Sequence, residues 1–239
     1  MSNQQAVTEM FDGIAPRYDR LNHLLSLGID RAWRRKTSRR VSKQHPKAIL
    51  DVATGTADLA IQLAYDNDEA TITGVDLSER MLSIGRQKVD KKKLLHRIHL
   101  EMADATALPF ADGSFDAVTV AFGVRNFAYR DKGLSEMVRV CRKGGLVAIL
   151  EFSHPTCTLV SVPYRWYSRL WIPRIGRSVS RHPTAYSYLP SSVEAFPSTE
   201  DFVASLEHAG LKDIQATAFC GGIATLYYGY VSITTKASQ

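Results

Sequence analysis

The sequence predicts an α/β fold: a doubly wound, mostly parallel sheet with a C-terminal antiparallel hairpin and an N-terminal helical cover. Two observations carry this prediction. Five short apolar segments alternate with segments of helical periodicity between residues 46 and 153, which is typical of strands joined by crossover helices. Two further apolar segments, residues 211–219 and 224–234, follow each other closely and predict a hairpin.

Composition and charge limit the classes of protein to which the chain can belong. The 239 residues, with 45% hydrophobic and 23% charged side chains, suit a soluble globular domain. A net charge of +6 admits nucleic acid, an anionic membrane surface or an anionic ligand as partner. Three widely spaced cysteines, Cys141, Cys157 and Cys220, are expected to be free thiols. No signal peptide or membrane-spanning run is found, so the expected location is cytoplasmic.

We expect one domain over residues 1–239, in four parts. Residues 1–45 form a helical lid, 46–153 a cofactor-binding core, 154–197 an insertion facing the substrate or a membrane, and 198–239 a closing helix and hairpin. In the first part, Pro16 ends a helix, and a basic helix follows with Asp30 as its cap, Trp33 facing inward and its arginines outward. Whether this part only covers the domain or closes over a ligand remains open.

The central stretch is KAILDVATGTAD, residues 47–58. An apolar strand that contains Asp51 leads into a turn of small residues, and a helix starts at Asp58. Gly55 allows close approach of the backbone, and the start of the helix offers free N–H groups. A nucleotide-type α/β fold begins in this way.

The remaining elements follow in alternation. Four more strands are predicted at residues 71–76, 97–102, 115–122 and 146–152. Between them we expect a long helix capped by Ser78, and a helix over residues 132–141 that stops at Gly144 and Gly145. A helix capped by Thr199 then runs to His208 and precedes the hairpin.

The acid that ends the second strand decides the class of ligand. Asp76 lies about 20 residues beyond Gly55, where a carboxylate can accept both ribose hydroxyls of an adenosine. Ala53 and Ala57 stand where a dinucleotide-binding turn has glycine, which disfavours a pyrophosphate and favours S-adenosylmethionine. Asp104, after the third strand, is placed to accept from the adenine amino group.

At this point the chain resembles class I S-adenosylmethionine-dependent methyltransferases. More closely, it resembles the quinone C-methyltransferases of menaquinone and ubiquinone biosynthesis, over almost its whole length. The matching stretches are Phe11-Asp-x-Ile-Ala-x-x-Tyr18-Asp-x-Leu-Asn22, Ser26-x-Gly28-x-x-x-x-Trp33-Arg34, Leu50-Asp-Val-Ala-x-Gly55-Thr56-x-Asp58-Leu, Phe122-Gly-Val-Arg125-Asn126, Leu150-Glu151-Phe152-Ser153, Ala185-Tyr186-x-Tyr188-Leu189-Pro190-x-Ser192-Val193-x-x-Phe196-Pro197 and Gly221-Gly222-Ile223-Ala224.

The resemblance implies a Rossmann-like methyltransferase fold with S-adenosylmethionine as cofactor. It implies cofactor contacts at Thr56, Asp76, Asp104 and Ala105. The family often has serine where this chain has Ala121, so only a backbone contact is expected there. The candidate cofactor-binding residues are Asp51, Gly55, Thr56, Asp76, Leu77, Asp104, Ala105 and Ala121.

The candidate catalytic residues are Arg125, Asn126 and Tyr18. Arg125 and Asn126 follow the fourth strand, at the carboxyl edge where such sheets bind ligands. Arg125 is a poor base, but its charge can stabilise a phenolate. Tyr18 and Asp19 are expected to close over the cofactor. For three of the candidate site residues, a purely structural role is the alternative. Asp51 would act as a cap, Asp104 would stabilise a loop turn, and Arg125 would form a surface ion pair.

The insertion combines prolines, aromatic residues and five arginines with one acid. It suits a pocket for a prenyl tail, an anionic membrane or nucleic acid. Because no NPPY-like tetrad follows the fourth strand, nucleic acid is not expected as a substrate, and we favour the prenyl pocket with transient membrane association. The histidines show no ligand spacing, so no metal is expected.

The function expected from the resemblance is methylation of a ring carbon of a prenylated quinol, with demethylmenaquinol to menaquinol as the leading reaction. Methylation of a methoxy-benzoquinol on the ubiquinone path is the alternative. The third hypothesis, motivated by Ala121, is a non-catalytic cofactor-binding or assembly protein of this fold. The enzyme is expected in the cytoplasm or peripherally on the inner face of the cytoplasmic membrane, and a homo-oligomer is allowed.

Overall fold

The computed structural model describes residues 3–153, 155, 188 and 191–233. In this part of the chain seven strands form one sheet: β1 (Ala48–Val52), β2 (Thr71–Asp76), β3 (Ile98–Met102), β4 (Phe115–Ala121), β5 (Cys141–Phe152), β6 (Leu211–Phe219) and β7 (Ala224–Val231). Their order is β3-β2-β1-β4-β5-β7-β6. β1 to β5 pair in parallel, and β7 runs antiparallel to both neighbours. The predicted doubly wound sheet and C-terminal hairpin are confirmed.

Helices cover both faces of the sheet. Those that position the core and the site are α1 (Asn3–Ile14), α2 (Tyr18–Leu25), α3 (Ile29–Ser42), α4 (Asp58–Asp66), α5 (Glu79–Lys91), α6 (Arg130–Val140) and α7 (Thr199–His208). A short 3₁₀ helix with Pro16 separates α1 from α2, so the predicted break is confirmed. Within the described residues, no helix is long and apolar enough to cross a membrane.

The central strands are buried on both faces, as parallel strands require. In β1, Ile49 joins the cluster that includes Trp33 of α3, whereas Leu50 joins the cluster on the opposite face that includes Met137 of α6 and Phe202 of α7. This alternation explains why β1 reads as a continuous apolar run in the sequence. The inward position of Trp33, 4% exposed, is confirmed.

Asp30 was predicted as a helix cap, and this is wrong. The N-cap of α3 is Gly28, which adopts φ +76, a left-handed conformation that glycine adopts without strain. Asp30 lies in the first turn and accepts hydrogen bonds from the side chains of Ser26 and Arg34. The outward position of the arginines is also wrong for Arg34, which is 8% exposed because it pairs with Asp30.

Two other predicted helix ends are wrong. The cap of α7 is Ser198, not Thr199, because the Ser198 hydroxyl accepts from the backbone N–H of Asp201 at 3.1 Å. Gly144 and Gly145 do not end α6, which stops at Val140. They lie inside β5, and a Cβ at Gly145 would come within 2.8 Å of the Asp116 carbonyl oxygen, so close strand contact requires glycine there. The cap at Ser78 is confirmed by its 3.1 Å bond from Met81 N.

Cys141 and Cys220 are free thiols, as expected. Cys157 lies outside the described residues, as does most of the predicted insertion. The structure therefore tests the insertion only at residues 155, 188 and 191–197.

Candidate active site

A cleft opens at the carboxyl edge of the sheet, between the turn after β1 and the segments that follow β2, β3 and β4. It encloses about 810 Å³, its open mouth included. Such clefts lie where the strand order reverses, here between β1 and β4, in open α/β sheets. The lining residues are Val7, Thr8, Phe11, Tyr18, Ala53, Gly55, Asp76, Leu77, Ser78, Met81, Ala103, Asp104, Ala105, Thr106, Ala121, Phe122, Gly123, Asn126, Phe127 and Ala128.

The turn after β1 is built from left-handed residues. Ala53, Gly55 and Ala57 have φ of +51°, +56° and +65°. A Cβ at Gly55 would have no heavy atom within 4 Å, so the backbone of the turn is open to the cleft at this position. At Ala53 the turn packs tightly against Gly123, where a Cβ would come within 2.6 Å of the Ala53 methyl. The turn therefore presents backbone to a ligand without the glycines of a pyrophosphate site.

Asp76 ends β2 in the cleft wall, where its carboxylate is held by backbone donors. One oxygen accepts from Gly55 N at 2.8 Å and the other from Ser78 N at 2.9 Å. Burial raises the pKa of Asp76, while these N–H groups act in the opposite direction. The contacts fix the carboxylate while leaving lone pairs that can accept ribose hydroxyls.

Asp104 lies in the cleft wall after β3, beside Ala105. Its Oδ1 accepts from both the backbone N–H and the hydroxyl of Thr106, at 2.8 and 2.9 Å. This Asx-type turn fixes the loop. Asp76 and Asp104 thus follow adjacent strands and line the same cleft. Two acceptors at this edge and an open backbone at Gly55 fit an adenosine-bearing cofactor.

Asp51 lies beneath the turn instead of lining the cleft. It is 1% exposed and accepts from the hydroxyls of Thr54 and Thr119, both at 2.7 Å. Burial raises the pKa of Asp51 to about 6, against these hydrogen bonds. The structure therefore gives Asp51 a part in holding the turn, which is closer to the structural interpretation of this residue.

Thr56 also does not line the cleft. It is 3% exposed, its hydroxyl donates to Asp19 of α2 at 2.5 Å, and it accepts from Lys88 of α5 at 3.1 Å. Lys88 in turn pairs with Asp19 at 2.7 Å and with Asp58 at 2.5 Å. This network fastens α2 to the core beside the cleft.

The N-terminal helices form one wall of the cleft. Val7, Thr8 and Phe11 of α1 line it, and Asp12 accepts a hydrogen bond from the hydroxyl of Ser78. Tyr18 lines the same wall, and burial raises the pKa of its hydroxyl. Of the two open interpretations, this position favours the lid.

Arg125 lies just behind the cleft, in a buried ion pair. Its Nη1 donates to Glu151 Oε1 at 2.6 Å and to the Phe122 carbonyl at 2.6 Å. The Arg125 side chain is 6% exposed and that of Glu151 is 0% exposed. Nε of Arg125 is buried and has no hydrogen-bond partner among the described residues. The surface ion pair considered for Arg125 is therefore wrong, because the pair is buried.

Asn126 lines the cleft and is oriented by its neighbours. Its amide nitrogen donates to the Phe122 carbonyl at 3.4 Å, and its amide oxygen accepts from the hydroxyl of Tyr188 at 2.9 Å. Burial raises the pKa of Tyr188, while nearby Arg125 lowers it and Glu151 raises it. Arginine, amide and phenol groups thus meet at the end of the cleft formed after β4.

Eight of the eleven predicted site residues line this cleft, and their roles in binding or catalysis stay predictions. Of the predicted residues, those that line it are Tyr18, Gly55, Asp76, Leu77, Asp104, Ala105, Ala121 and Asn126. Glu151 and Tyr188 were missed as site residues, although both stand in stretches that carry the resemblance. An acid near the end of a buried strand, the signal that selected Asp51 and Asp76, would have found Glu151.

Among the described residues, one cluster has the geometry of a metal site: His23, Asp30 and Asp58, with ligand atoms within 4.8 Å of one another. Its carboxylates already pair with cationic side chains. Asp30 pairs with Arg34, and Asp58 pairs with Lys88 at 2.5 Å and lies 3.9 Å from Arg34. A cation would have to compete with these pairs, so the cluster is better described as an ion-pair network.

Comparisons with known proteins agree on the family of the chain. The model of the ubiE/COQ5 methyltransferase family matches residues 1–231. The chain is 45% identical over 223 residues to the demethylmenaquinone methyltransferase of Bacteroides fragilis, covering 93% of this chain and 91% of that protein. It is 46% identical over 226 residues to the ubiquinone/menaquinone biosynthesis C-methyltransferase UbiE of Geotalea uraniireducens, covering 94% and 96%.

Solved structures support the fold. A SAM-dependent methyltransferase from Aquifex aeolicus matches with a TM-score of 0.58 and 18% identity, covering 81% of this chain and 89% of that chain. At this identity the likeness concerns the fold alone. It agrees with the class I methyltransferase architecture expected from the sequence.

Proposed function

The chain belongs to the ubiE/COQ5 methyltransferase family, and we propose that it methylates a ring carbon of demethylmenaquinol with S-adenosylmethionine as methyl donor. The proteins it resembles over more than nine-tenths of its length are named for quinone methylation. One structural observation carries the proposal furthest. A single cleft is lined by two carboxylates at its β2–β3 side and by Asn126 at its β4 side, where Arg125 lies just behind the surface and Tyr188 donates to the Asn126 amide oxygen.

The β2–β3 side of the cleft suits the cofactor. Asp76 would accept the ribose hydroxyls, Asp104 would accept from adenine, and Leu77 and Ala105 would hold the ring. The backbone at Gly55 and Ala121 would face the rest of the molecule. When bound, S-adenosylmethionine supplies an electrophilic methyl group on its sulfonium. The residues of the chain orient the two reactants and exclude water from them.

The β4 side suits a quinol. A ring carbon becomes nucleophilic when the neighbouring hydroxyl loses its proton, so the site must stabilise a phenolate. Arg125 is suited to this because it is permanently charged and paired with Glu151, and its Nε has no hydrogen-bond partner among the residues that the structure describes. Asn126 and Tyr18 would orient the ring. Arg125 lies behind the cleft surface, so its contact with substrate would require a small local movement.

The walls of the cleft suit an apolar substrate. Val7 and Phe11 of α1 line it, as do Phe122 and Phe127. In our proposal α1 and α2 act as a lid, and closure over both ligands excludes water during transfer. The insertion would hold the prenyl tail and contact the membrane transiently. Both roles remain predictions, because most of the insertion lies outside the described residues.

A second quinol deserves a direct test because the Geotalea uraniireducens relative is named for both ubiquinone and menaquinone biosynthesis. The purified enzyme with labelled S-adenosylmethionine would be given demethylmenaquinol and a methoxy-benzoquinol in competition. We expect label in menaquinol. Label mainly in the benzoquinol would favour the ubiquinone path, and label in neither, with cofactor bound, would favour the non-catalytic alternative.

A further inference from the structure

The turn between α2 and α3 carries an unusual leucine. Leu27 has φ +52 and its exposed fraction is 76%. The N–H of Gly28 donates to the carbonyl of His23 at 2.7 Å, the six-to-one bond that closes a Schellman helix end. In this motif the left-handed position, here Leu27, is usually glycine or asparagine.

Leucine is unfavourable here on two independent counts. A left-handed backbone strains a side chain with a Cβ, and exposure of so much apolar surface to water is costly. Asparagine would relieve both. A strained and exposed apolar residue of this kind is better explained by a partner than by folding.

The surroundings of Leu27 show the chemistry of that partner. Ile29, 40% exposed, stands two residues further on. Along α3 the exposed side includes five cationic side chains: Arg31, Arg35, Lys36, Arg39 and Lys43. We call Leu27, Ile29 and these five residues the α3 surface.

Positive charge is concentrated in this region. Residues 16–45 hold nine arginine or lysine residues and two acids, a formal charge of +7, against +6 for the whole chain. Both acids already have partners within the protein: Asp19 pairs with Lys88 and Thr56, and Asp30 with Arg34 and Ser26. The exposed cations therefore face solvent without acidic neighbours in their own segment.

The α3 surface lies at the edge of the sheet where the cleft opens. His23 Nε2 and Arg34 Nη1 lie 3.8 and 3.9 Å from Asp58 Oδ2. Asp58 begins α4 directly after the turn that lines the cleft. The apolar end of the α3 surface is thus beside the carboxyl edge of the sheet, and the cations extend away from it along α3.

We propose that the α3 surface docks the protein on an anionic lipid bilayer, with Leu27 and Ile29 inserted among the headgroups and the cations of α3 against the lipid phosphates. Exposed apolar residues beside a cationic helix suit a bilayer, which offers both an apolar layer and negative charge. Nucleic acid would use the cations but would leave Leu27 in water. The inference rests on the proposed function, since a prenylated quinol resides in the bilayer and docking here brings the edge of the cleft to it.

The test is flotation of the full-length protein with phosphatidylcholine vesicles, with and without phosphatidylglycerol. Leu27→Asn removes the apolar tip while suiting the left-handed backbone, so the thermal midpoint is expected to stay or rise. Binding to anionic vesicles is expected to fall about tenfold, from loss of one inserted leucine. The matched control is Ile233→Asn, because Ile233 is also 76% exposed but lies at the opposite end of the sheet, beyond β7.

The charge test follows the same design. Arg31→Gln with Arg35→Gln is expected to lower binding to anionic vesicles about tenfold or more and to leave phosphatidylcholine binding unchanged. The control, Lys91→Gln with Lys93→Gln, removes equal charge from exposed positions at the end of α5. The proposal would be overturned if test and control variants lost binding to anionic vesicles equally, or if Leu27→Asn bound these vesicles as the wild type does. So would binding of duplex RNA, but not of vesicles, through Arg31 and Arg35.

Activity separates this inference from the proposed function. On a long-tailed quinol in vesicles, Leu27→Asn is expected to lose activity in proportion to its lost binding, yet to match the wild type on a short-tailed, water-soluble quinol. If Leu27→Asn instead loses activity equally on the long-tailed and the short-tailed quinol, the substitution affects the active site itself, and the docking proposal fails. If the wild type methylates neither quinol while vesicle binding responds to the variants as expected, the proposed function fails and the docking surface stands.

Discussion

Two acids at the same edge of the sheet, Asp51 and Asp76, have different surroundings and different tasks. Among the described residues, Asp51 accepts hydrogen bonds from two hydroxyl groups, and it is 1% exposed. Asp76 accepts from two backbone N–H groups and faces the cleft. The first holds the turn and the second is available to a ligand.

The raised pKa of Asp51 predicts a pH-dependent stability. Because the folded state binds this proton up to about pH 6 and the unfolded state only to about pH 4, stability falls as pH rises between these values. Asp51→Asn removes the effect and can still bond both hydroxyls. The stability of the variant relative to wild type should rise by about 2.4 kcal/mol from pH 4 to pH 7 in denaturant unfolding.

Asp116→Asn is the control of opposite sign. Backbone N–H groups and Arg142 hold the pKa of Asp116 below its usual value against partial burial. Its stabilisation is therefore present above about pH 4 and lost as pH falls through the lowered pKa. A relative stability of Asp51→Asn that does not change with pH would contradict the account of Asp51.

The substitution Asp76→Ala tests whether the Asp76 carboxylate binds the ribose of the cofactor. The variant loses the acceptor for two ribose hydroxyls, and charge-assisted hydrogen bonds contribute about 1.5–3 kcal/mol each. Titration calorimetry should show affinity for S-adenosylmethionine lowered about 100-fold or more. Asp68→Ala, at an exposed acid in the loop after α4, should bind as the wild type does. Unchanged affinity in Asp76→Ala would remove the ribose assignment.

Arg125→Lys tests stabilisation of the phenolate. Lysine keeps the charge but loses the planar donors held by Glu151 and leaves no donor at the position of Nε. We expect kcat to fall about 100-fold, as when one oxyanion donor is removed. Affinity for S-adenosylmethionine should not change, and a loss of cofactor affinity instead would show that Arg125 has a structural role only.

The sequence could predict where these residues lie only when the signal was local. Asp76 and Asp104 each follow a strand, and that position alone brings them to the cleft. The Arg125–Glu151 pair joins the 3₁₀ helix after β4 (Val124–Asn126) to β5, across 26 positions of sequence, and such a pairing cannot be read from spacing. Thr56 was misplaced for a similar reason, since its hydroxyl bonds to Asp19 and Lys88 from elements distant in sequence.

At the scale of elements, the N-terminal helices depend on a few polar contacts with the core. Lys88 of α5 joins Asp19 of α2 to Asp58 of α4, with side chains about a quarter exposed. Partial exposure screens these pairs, so they stabilise the contact of α2 with the core only modestly. Such an attachment suits a lid that has to open.

Lys88→Met tests this attachment. The variant leaves Asp19 and Asp58 without their shared cation, so α2 should open more often. Limited trypsin digestion should then cut faster at the exposed Arg17 and Arg20, and added S-adenosylmethionine should slow the cutting. Lys91→Met, on the same helix but exposed, is the control. Equal cutting rates in the two variants would exclude the lid attachment.

Helix ends were the least predictable elements. Asp30 and Thr199 both have the composition of caps, yet Gly28 and Ser198 occupy those positions. In each case the residue nearby with the better fit to the local backbone, a left-handed glycine or a serine one position earlier, determined the outcome. Several side chains compete within one turn, so composition alone leaves an error of one or two residues.

At the scale of the whole molecule, the sheet follows directly from the sequence. Strands buried on both faces leave continuous apolar runs, and crossover helices leave helical periodicity between them. The strand order, by contrast, depends on pairings such as β1 with β4, which no local pattern specifies. That order places the cleft between the proposed cofactor residues at the ends of β2 and β3 and the polar side chains after β4.

We propose that this cleft transfers a methyl group from S-adenosylmethionine to carbon. The most direct measurement uses the purified protein, methyl-¹³C S-adenosylmethionine and reduced demethylmenaquinol, with NMR of the extracted quinol. The account predicts one labelled methyl group on a ring carbon, absent when Asp76→Ala replaces the wild type. Label on a quinol oxygen, or an unlabelled quinol recovered from a protein that binds the cofactor, would contradict it.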